Sequence, residues 1–189
     1  MYGFYICKPL IIKFFNEILE FPFGKKTYTV RVPTKVLENQ YLYTSFIRGF
    51  ADNDGGIYFG KRKAGYSKFK QTRHTYPRIC LTSVSREIME QIKGMMDKLD
   101  IECTLVWNKP GKKQRVPYYR IFIRGDRRVR KWMELIGFNN PCHLTKVRIW
   151  ERFGFCPPFT NVMQRKEILE DQRDVREWYV EEKSEPGGI

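Results

Sequence analysis

Two aspartates one residue apart, Asp52 and Asp54, end the apolar stretch that opens Phe-Ile-Arg-Gly-Phe-Ala-Asp-Asn-Asp-Gly-Gly, residues 46–56. Acids so spaced can hold a divalent cation or close a helix. A calcium loop starting at Asp52 is excluded. Its sixth position is Ile57 where glycine is needed, and its twelfth is Lys63 where a bidentate glutamate is needed. A purely local role explains Gly55 and Gly56 as the start of a strand, but it leaves two acids at the negative end of a helix dipole, which is unfavourable. Asp54 in that place calls for a compensating cation. Mg²⁺ fits, because it uses one or two carboxylates plus phosphate oxygens.

A phosphate partner is expected from charge. The 189 residues hold 35 Lys+Arg against 21 Asp+Glu, a formal +14, which points to a polyanion; a ribosomal-type RNA binder is the competing class. The five cysteines, at 7, 80, 103, 142 and 156, are odd in number and lack Cys-x-x-Cys spacing. Reduced thiols follow, without a disulfide framework or zinc site. The two histidines, His74 and His143, cannot build a histidine-rich metal site; His74 reads as a loop, phosphate or base contact. Lys8, Pro9, Lys13 and Asn16 interrupt the apolar N-terminal run, which also lacks a small-residue cleavage site. Neither a signal peptide nor a membrane span is expected, and the location is cytoplasmic (prokaryotic) or organellar, not secreted.

The elements that must position the acids follow from periodicity. Residues 10–20 have helical spacing, with Pro9 in the first turn. Tyr28, Val30 and Val32 alternate as a strand ended by Pro33. A short helix ends at the two acids, and a strand runs from Ile57 to about Lys63. A second strand covers Pro77–Ser83. A helix capped by Ser85 carries Ile88, Ile92, Met95, Met96 and Leu99 as an apolar stripe. Strands follow at Glu102–Asn108 and Tyr118–Arg124, then a helix around Val129–Ile136, a turn at Asn139–Pro141, and a helix over Thr145–Phe153. The tail after Pro157-Pro158 reads as a solvated helix on the core. Trp107, Trp132, Trp150 and the Met95–Met96 pair are expected inside. From 44 to 153 the order is helix, two strands, helix, two strands, helix, helix: an α+β domain with an antiparallel sheet.

Basic residues cluster at the strand pairs. Residues 61–78 hold seven Lys or Arg and no acid, and residues 109–131 hold ten against Asp126 alone. Arg78, Arg120 and Arg124 lie on the strands themselves. Such a face suits a nucleic-acid backbone and its major groove.

Ile47-Arg48-Gly49-Phe50-Ala51-Asp52-Asn53-Asp54-Gly55 resembles the LAGLIDADG motif of homing endonucleases. The third-position Gly, sixth- and eighth-position Asp and ninth-position Gly are kept. Leu-Thr-Ser-Val-Ser-Arg-Glu, opening the second long helix, and Asn140-Pro141-Cys142-His143-Leu144-Thr145-Lys146 resemble further family segments. The resemblance covers about residues 41–155 and implies an αββαββα core (41–156) with a DNA-binding sheet saddle, flanked by an N-terminal extension (1–40) and a C-terminal helical tail (157–189).

That resemblance implies a Mg²⁺-dependent endonuclease of the intron-encoded type that cuts both strands of duplex DNA at a long, near-palindromic site. The alternative within the family is an RNA splicing factor (maturase) acting on intron RNA, or a binder without cleavage. One motif is found rather than two, which implies a homodimer meeting through Ser45, Gly49 and Phe50. Asp54 is then the metal-binding acid, with the Asn53 carbonyl as a neighbouring ligand and Asp52 in a structural role. Lys146 occupies the basic active-site position, and Ser83 a polar one beside the attacking water. By strand alternation Tyr58, Gly60 and Arg62, with Lys61, face DNA; so do Tyr76, Arg78, Arg120 and Arg124. Lys112, Lys113 and Arg115 reach phosphates from the hairpin.

Overall fold

The computed structural model describes residues 8–18, 20, 28–61, 73–111 and 115–179. Its helices are α1 (Pro9–Lys13), α2 (Thr34–Leu37), α3 (Tyr43–Asp54), α4 (Arg86–Lys98), α5 (Asp126–Leu135), α6 (Pro141–Phe153) and α7 (Val162–Leu169). Its strands are β1 (Gly55–Gly60), β2 (Tyr76–Ser83), β3 (Thr104–Asn108) and β4 (Tyr118–Arg124). From α3 to α5 the order is αββαββα, as expected. The four strands form one open antiparallel sheet in the order β1-β2-β4-β3.

The chain divides into two units, Met1–Ile47 with Thr82–Ile121, and Arg48–Leu81 with Phe122–Ile189. In the first, the expected stripe of α4 is buried at Ile88, Ile92, Met95 and Met96, with Met89 and Ile101 beside them, while Leu99, the C-cap, is half-buried. Ser85 caps α4 by accepting from Ile88 N. The Ser85 hydroxyl also donates to the Val30 carbonyl at 2.7 Å, and Val32 N–H donates to Gln91 Oε1 at 2.7 Å. These two bonds correct one expectation. Residues 28–33 are not a strand; the Val30 carbonyl and the Val32 N–H are satisfied by side chains of the α4 region instead of a neighbouring strand. Trp107 is a second correction. It is 53% exposed on β3, with Lys109 Nζ 5.9 Å from its ring centre, and is not core. Of the helix expected over residues 10–20, residues 10–18 are helical, as α1 running into a π-type turn at Phe14–Ile18; residue 19 lies outside the described residues and Glu20 is not helical.

In the second unit the core gathers Ala51, Ile57, Ile79, Leu81, Ile123, Trp132, Val147 and Trp150. β1 and β2 pair with Ile57 opposite Ile79 and Tyr58 opposite Arg78. The alternation on β2 is regular: Pro77, Ile79 and Leu81 point inward, while Arg78 and Thr82 are exposed. Period-two patterning of this kind fixes the register, because a one-residue slip would turn the apolar set outward. The last helix of the core differs from expectation. α6 begins at Pro141, not Thr145; Asn140 is its N-cap, accepting from Cys142 N, and Pro141 takes the first helical position, where no N–H is needed. The tail is α7 plus a 3₁₀ turn at Val175–Tyr179.

Candidate metal and nucleic-acid site

The α3-to-β1 junction is tight because Gly55 permits it. A Cβ there would lie 2.6 Å from Leu81 Cδ2 and 2.8 Å from the Ala51 carbonyl oxygen. The junction is therefore pressed between the last turns of α3 and Leu81 of β2, the neighbouring strand, and the two acids are held at that corner.

Their surroundings differ. Asp52 reaches the entry to α6. Its carboxylate accepts from Asn139 N–H (3.0 and 3.1 Å to the two oxygens) and from Asn140 N–H (3.0 Å). Asn140 Nδ2 returns a bond to the Asp52 carbonyl at 2.9 Å. An acid unfavourably placed at the end of one helix thus sits at the start of another, where the dipole favours it. Asp54 has no such arrangement. It is exposed, and no hydrogen bond or ion pair to its carboxylate forms among the described residues. Partial desolvation by the surrounding protein raises its pKa. Asn53 is also exposed; its side-chain amide donates to the Gly49 carbonyl at 2.8 Å.

The donor set can be weighed against Mg²⁺. Among the described residues no group of three or more His, Cys, Asp or Glu could hold a metal. One chain therefore offers the Asp54 carboxylate and main-chain carbonyls at the α3 end, half of what an ion using two carboxylates needs. The residues fit a site completed by a second carboxylate, phosphate oxygens and water.

The helix whose entry Asp52 holds, α6, carries Lys146 and His143. The Lys146 ammonium donates to the Ile57 carbonyl at 3.4 Å and lies 5.6 Å from the centre of the Tyr58 ring. Arg78 lies 6.0 Å from the same ring, so Tyr58 is attended by two cations. Desolvation, then the charge of Arg165, lowers the Lys146 pKa. His143 packs on Phe138 at 4.9 Å, and its Cε1 would be 3.4 Å from a Cβ on Gly56. Burial and Lys146 push its pKa down while Asp52 opposes them, and its Nδ1 is buried without a partner among the described residues.

Of the expected DNA contacts, Tyr58, Lys61, Arg78 and Arg115 are exposed, and Gly60, Tyr76, Arg120 and Arg124 are half-buried. Arg120 donates to Asn108 Oδ1 at 3.1 Å and to the Tyr118 hydroxyl, and Arg124 stacks 4.2 Å over Phe122. Arg62, Lys112 and Lys113 lie outside the described residues. Ser83 accepts from Ser85 N–H at 3.1 Å at the entry to α4. On α3, Ser45 and Gly49 are exposed, Phe50 is half-buried, and a Cβ on Gly49 would meet nothing within 4 Å. That face is open.

Sequence reasoning missed Arg165, which is 2% exposed in α7. Its one signal is its place three residues before the buried Ile168, on the same helical face.

An acid-ended helix feeding an antiparallel sheet in αββαββα order defines a class of α+β domain. A family model described as a LAGLIDADG-like domain matches residues 42–137. The match spans more than half of the chain, and the chain belongs to that family, whose domains occur in homing endonucleases and maturases. The chain is also similar to the replication factor C small subunit of Methanocaldococcus jannaschii, with 27% identity over 124 residues. The aligned segment is 66% of this chain and spans only 6% of that relative's length. Among the described residues no helix is long and apolar enough to cross a membrane.

Proposed function

We propose that the chain is a site-specific homing endonuclease that makes a Mg²⁺-dependent cut in both strands of duplex DNA. The observation that carries this reading is the contrast at the motif: Asp52 is bound to backbone amides, while Asp54 is exposed, partnerless among the described residues and raised in pKa. A structural acid needs no such neighbour.

Two copies meet through Ser45, Gly49 and Phe50 on α3, which brings two Asp54 carboxylates together. Asp54 and the Asn53 carbonyl hold the divalent ion, which when bound supplies charge stabilisation to the attacking and leaving oxygens. Lys146 neutralises charge on the scissile phosphate. Its lowered pKa reflects a site where an anion would be welcome. Ser83 presents its hydroxyl proton to water or phosphate while its oxygen accepts from Ser85. The exposed strand residues Tyr58 and Arg78, with Lys61, Tyr76, Arg120 and Arg124, bind DNA, and Arg62, Lys112, Lys113 and Arg115 reach phosphates. Two-fold symmetry then requires a near-palindromic target. The core at 41–156, its extension and its tail belong to the same reading, as does an intron-encoded origin and a cytoplasmic or organellar setting.

The test is incubation with a randomised duplex library and Mg²⁺, followed by sequencing of cut ends. Enrichment of a symmetric site cut on both strands, lost in Asp54→Asn, is the expected result. A library bound but uncut by the native chain refutes the endonuclease and leaves the maturase or a non-cleaving binder.

A further inference from the structure

Arg165 lies beyond the stretch matched by the family model, yet it is more deeply buried than the residues of the proposed site. Every acceptor its guanidinium meets is neutral. Nε donates to Thr145 Oγ1 at 2.8 Å. One terminal nitrogen donates to the Thr160 carbonyl and, at 3.3 Å, to Thr160 Oγ1; the other donates to the Cys142 carbonyl at 3.3 Å. Thr145 in turn donates to the Pro141 carbonyl at 2.8 Å.

Joining α7 to α6 does not require a charge. A buried cation without a carboxylate carries a desolvation penalty of several kcal/mol, and an apolar side chain of similar volume avoids it. Two of these bonds go to Thr160, ahead of α7, and two hold the first turn of α6, at Cys142 and Thr145. That turn leads directly into Lys146. The titratable and charged groups around Lys146 are Arg165 from α7, His143 and Cys142 on α6, Cys156 just beyond α6, Tyr58 from β1 and, across the Tyr58 ring, Arg78 from β2. Among the described residues the carboxylate nearest this set is Asp52, which acts on His143 and not on Lys146.

We propose that Arg165 is a positioning residue for Lys146: it clasps the first turn of α6, fixes the Lys146 ammonium between Tyr58 and the Ile57 carbonyl, and keeps that corner cationic for a phosphate oxygen. The inference rests on the reading of Lys146 as the phosphate-neutralising group. The direction of the Lys146 pKa agrees, since Arg165 is the largest charge acting to lower it.

The test uses the full chain and two readouts. The first is acetylation of Lys146 by an amine-reactive ester across a pH series, followed by peptide mass spectrometry. The second is cleavage of the duplex recovered from the library. Arg165→Met should shift the Lys146 labelling midpoint upward and lower cleavage by about tenfold or more, with DNA affinity unchanged. Arg165→Lys retains the charge and should hold the midpoint close to the native one. If both variants move the midpoint alike, Arg165 is only a brace; if Arg165→Met leaves midpoint and cleavage native, the inference fails. Should Arg165→Met not fold, Thr145→Val keeps the arginine, removes its Nε acceptor and carries the same readouts: a changed midpoint with reduced cleavage supports the clasp, and native behaviour overturns it. Labelling needs no cleavage. Failure of the proposed function, seen as Lys146→Met cutting at the native rate, is therefore distinct from failure of this inference.

Discussion

The two motif acids should respond to mutation with opposite signs. Asp52→Ala removes the acceptor of Asn139 and Asn140 N–H at the start of α6. A hydrogen bond to a charged group contributes about 1.5–3 kcal/mol, but Asn139 is exposed and its amide can turn to water. A net loss of about 1–2 kcal/mol results, the size of a lost helix cap. At roughly 2–4 °C per kcal/mol for a chain this long, the melting temperature falls by about 2–8 °C. Asp54→Asn does the reverse. Its folded pKa is raised by desolvation, so ionised Asp54 works against folding. That penalty is absent below the unfolded carboxylate pKa of about 4, grows as pH rises through the interval up to the raised folded value, and is complete above it. Asp54→Asn should therefore melt at or slightly above the native chain at pH 7, and the gap should close toward pH 4. Circular-dichroism melts without DNA or metal at both pH values decide the matter. An Asp54→Asn protein melting below Asp52→Ala at pH 7 would refute the assignment of the inner acid to the fold and the outer one to chemistry.

Other expectations follow from the same geometry. Gly49→Leu meets open space, so the folded chain should keep its melting temperature while losing dimerisation on DNA; a dimer persisting in sedimentation would remove α3 from the interface. Gly55→Ala forces a contact with the Ala51 carbonyl at 2.8 Å and should destabilise by about 1–3 kcal/mol in urea unfolding; a native midpoint would contradict the tight corner. Arg78→Ala should lower the slope of log affinity against log salt by about one, and an unchanged slope would take Arg78 off the phosphates. Burial holds the Cys103 and Cys156 thiols up at about 11, while Cys142 is exposed. Alkylation at pH 8 should therefore modify Cys142 and spare the other two until denaturant is added, and prompt modification of Cys156 would refute its burial.

The sheet and its helices were legible because their signals are periodic and local. Alternation on β2 and β4 and the apolar stripe of α4 each specify one face. Residues 28–32 alternate just as well, yet Ser85 and Gln91 take their backbone groups; alternation cannot tell a strand from an extended segment held by side chains. Asn140-Pro141 reads as a turn, and the same pair is also a cap followed by a first helical residue, the role it takes in α6. Trp107 shows the limit of residue-type reasoning, since a large aromatic on an outward strand position stays outside. Asp52 was legible as structural only in outline, because its partners lie 87 and 88 residues away. Arg165 was not legible, because a lone arginine in a mixed-charge tail looks like any solvated one.

The division of labour between neighbouring acids has an evolutionary reading. Aspartate becomes asparagine through a single nucleotide change. At position 52 that change would loosen a long-range tether; at position 54 it would leave the scaffold and its cationic sheet in place. On the cleavage reading, a lineage could retire from cutting in one mutational step and retain a stable nucleic-acid clamp for another use.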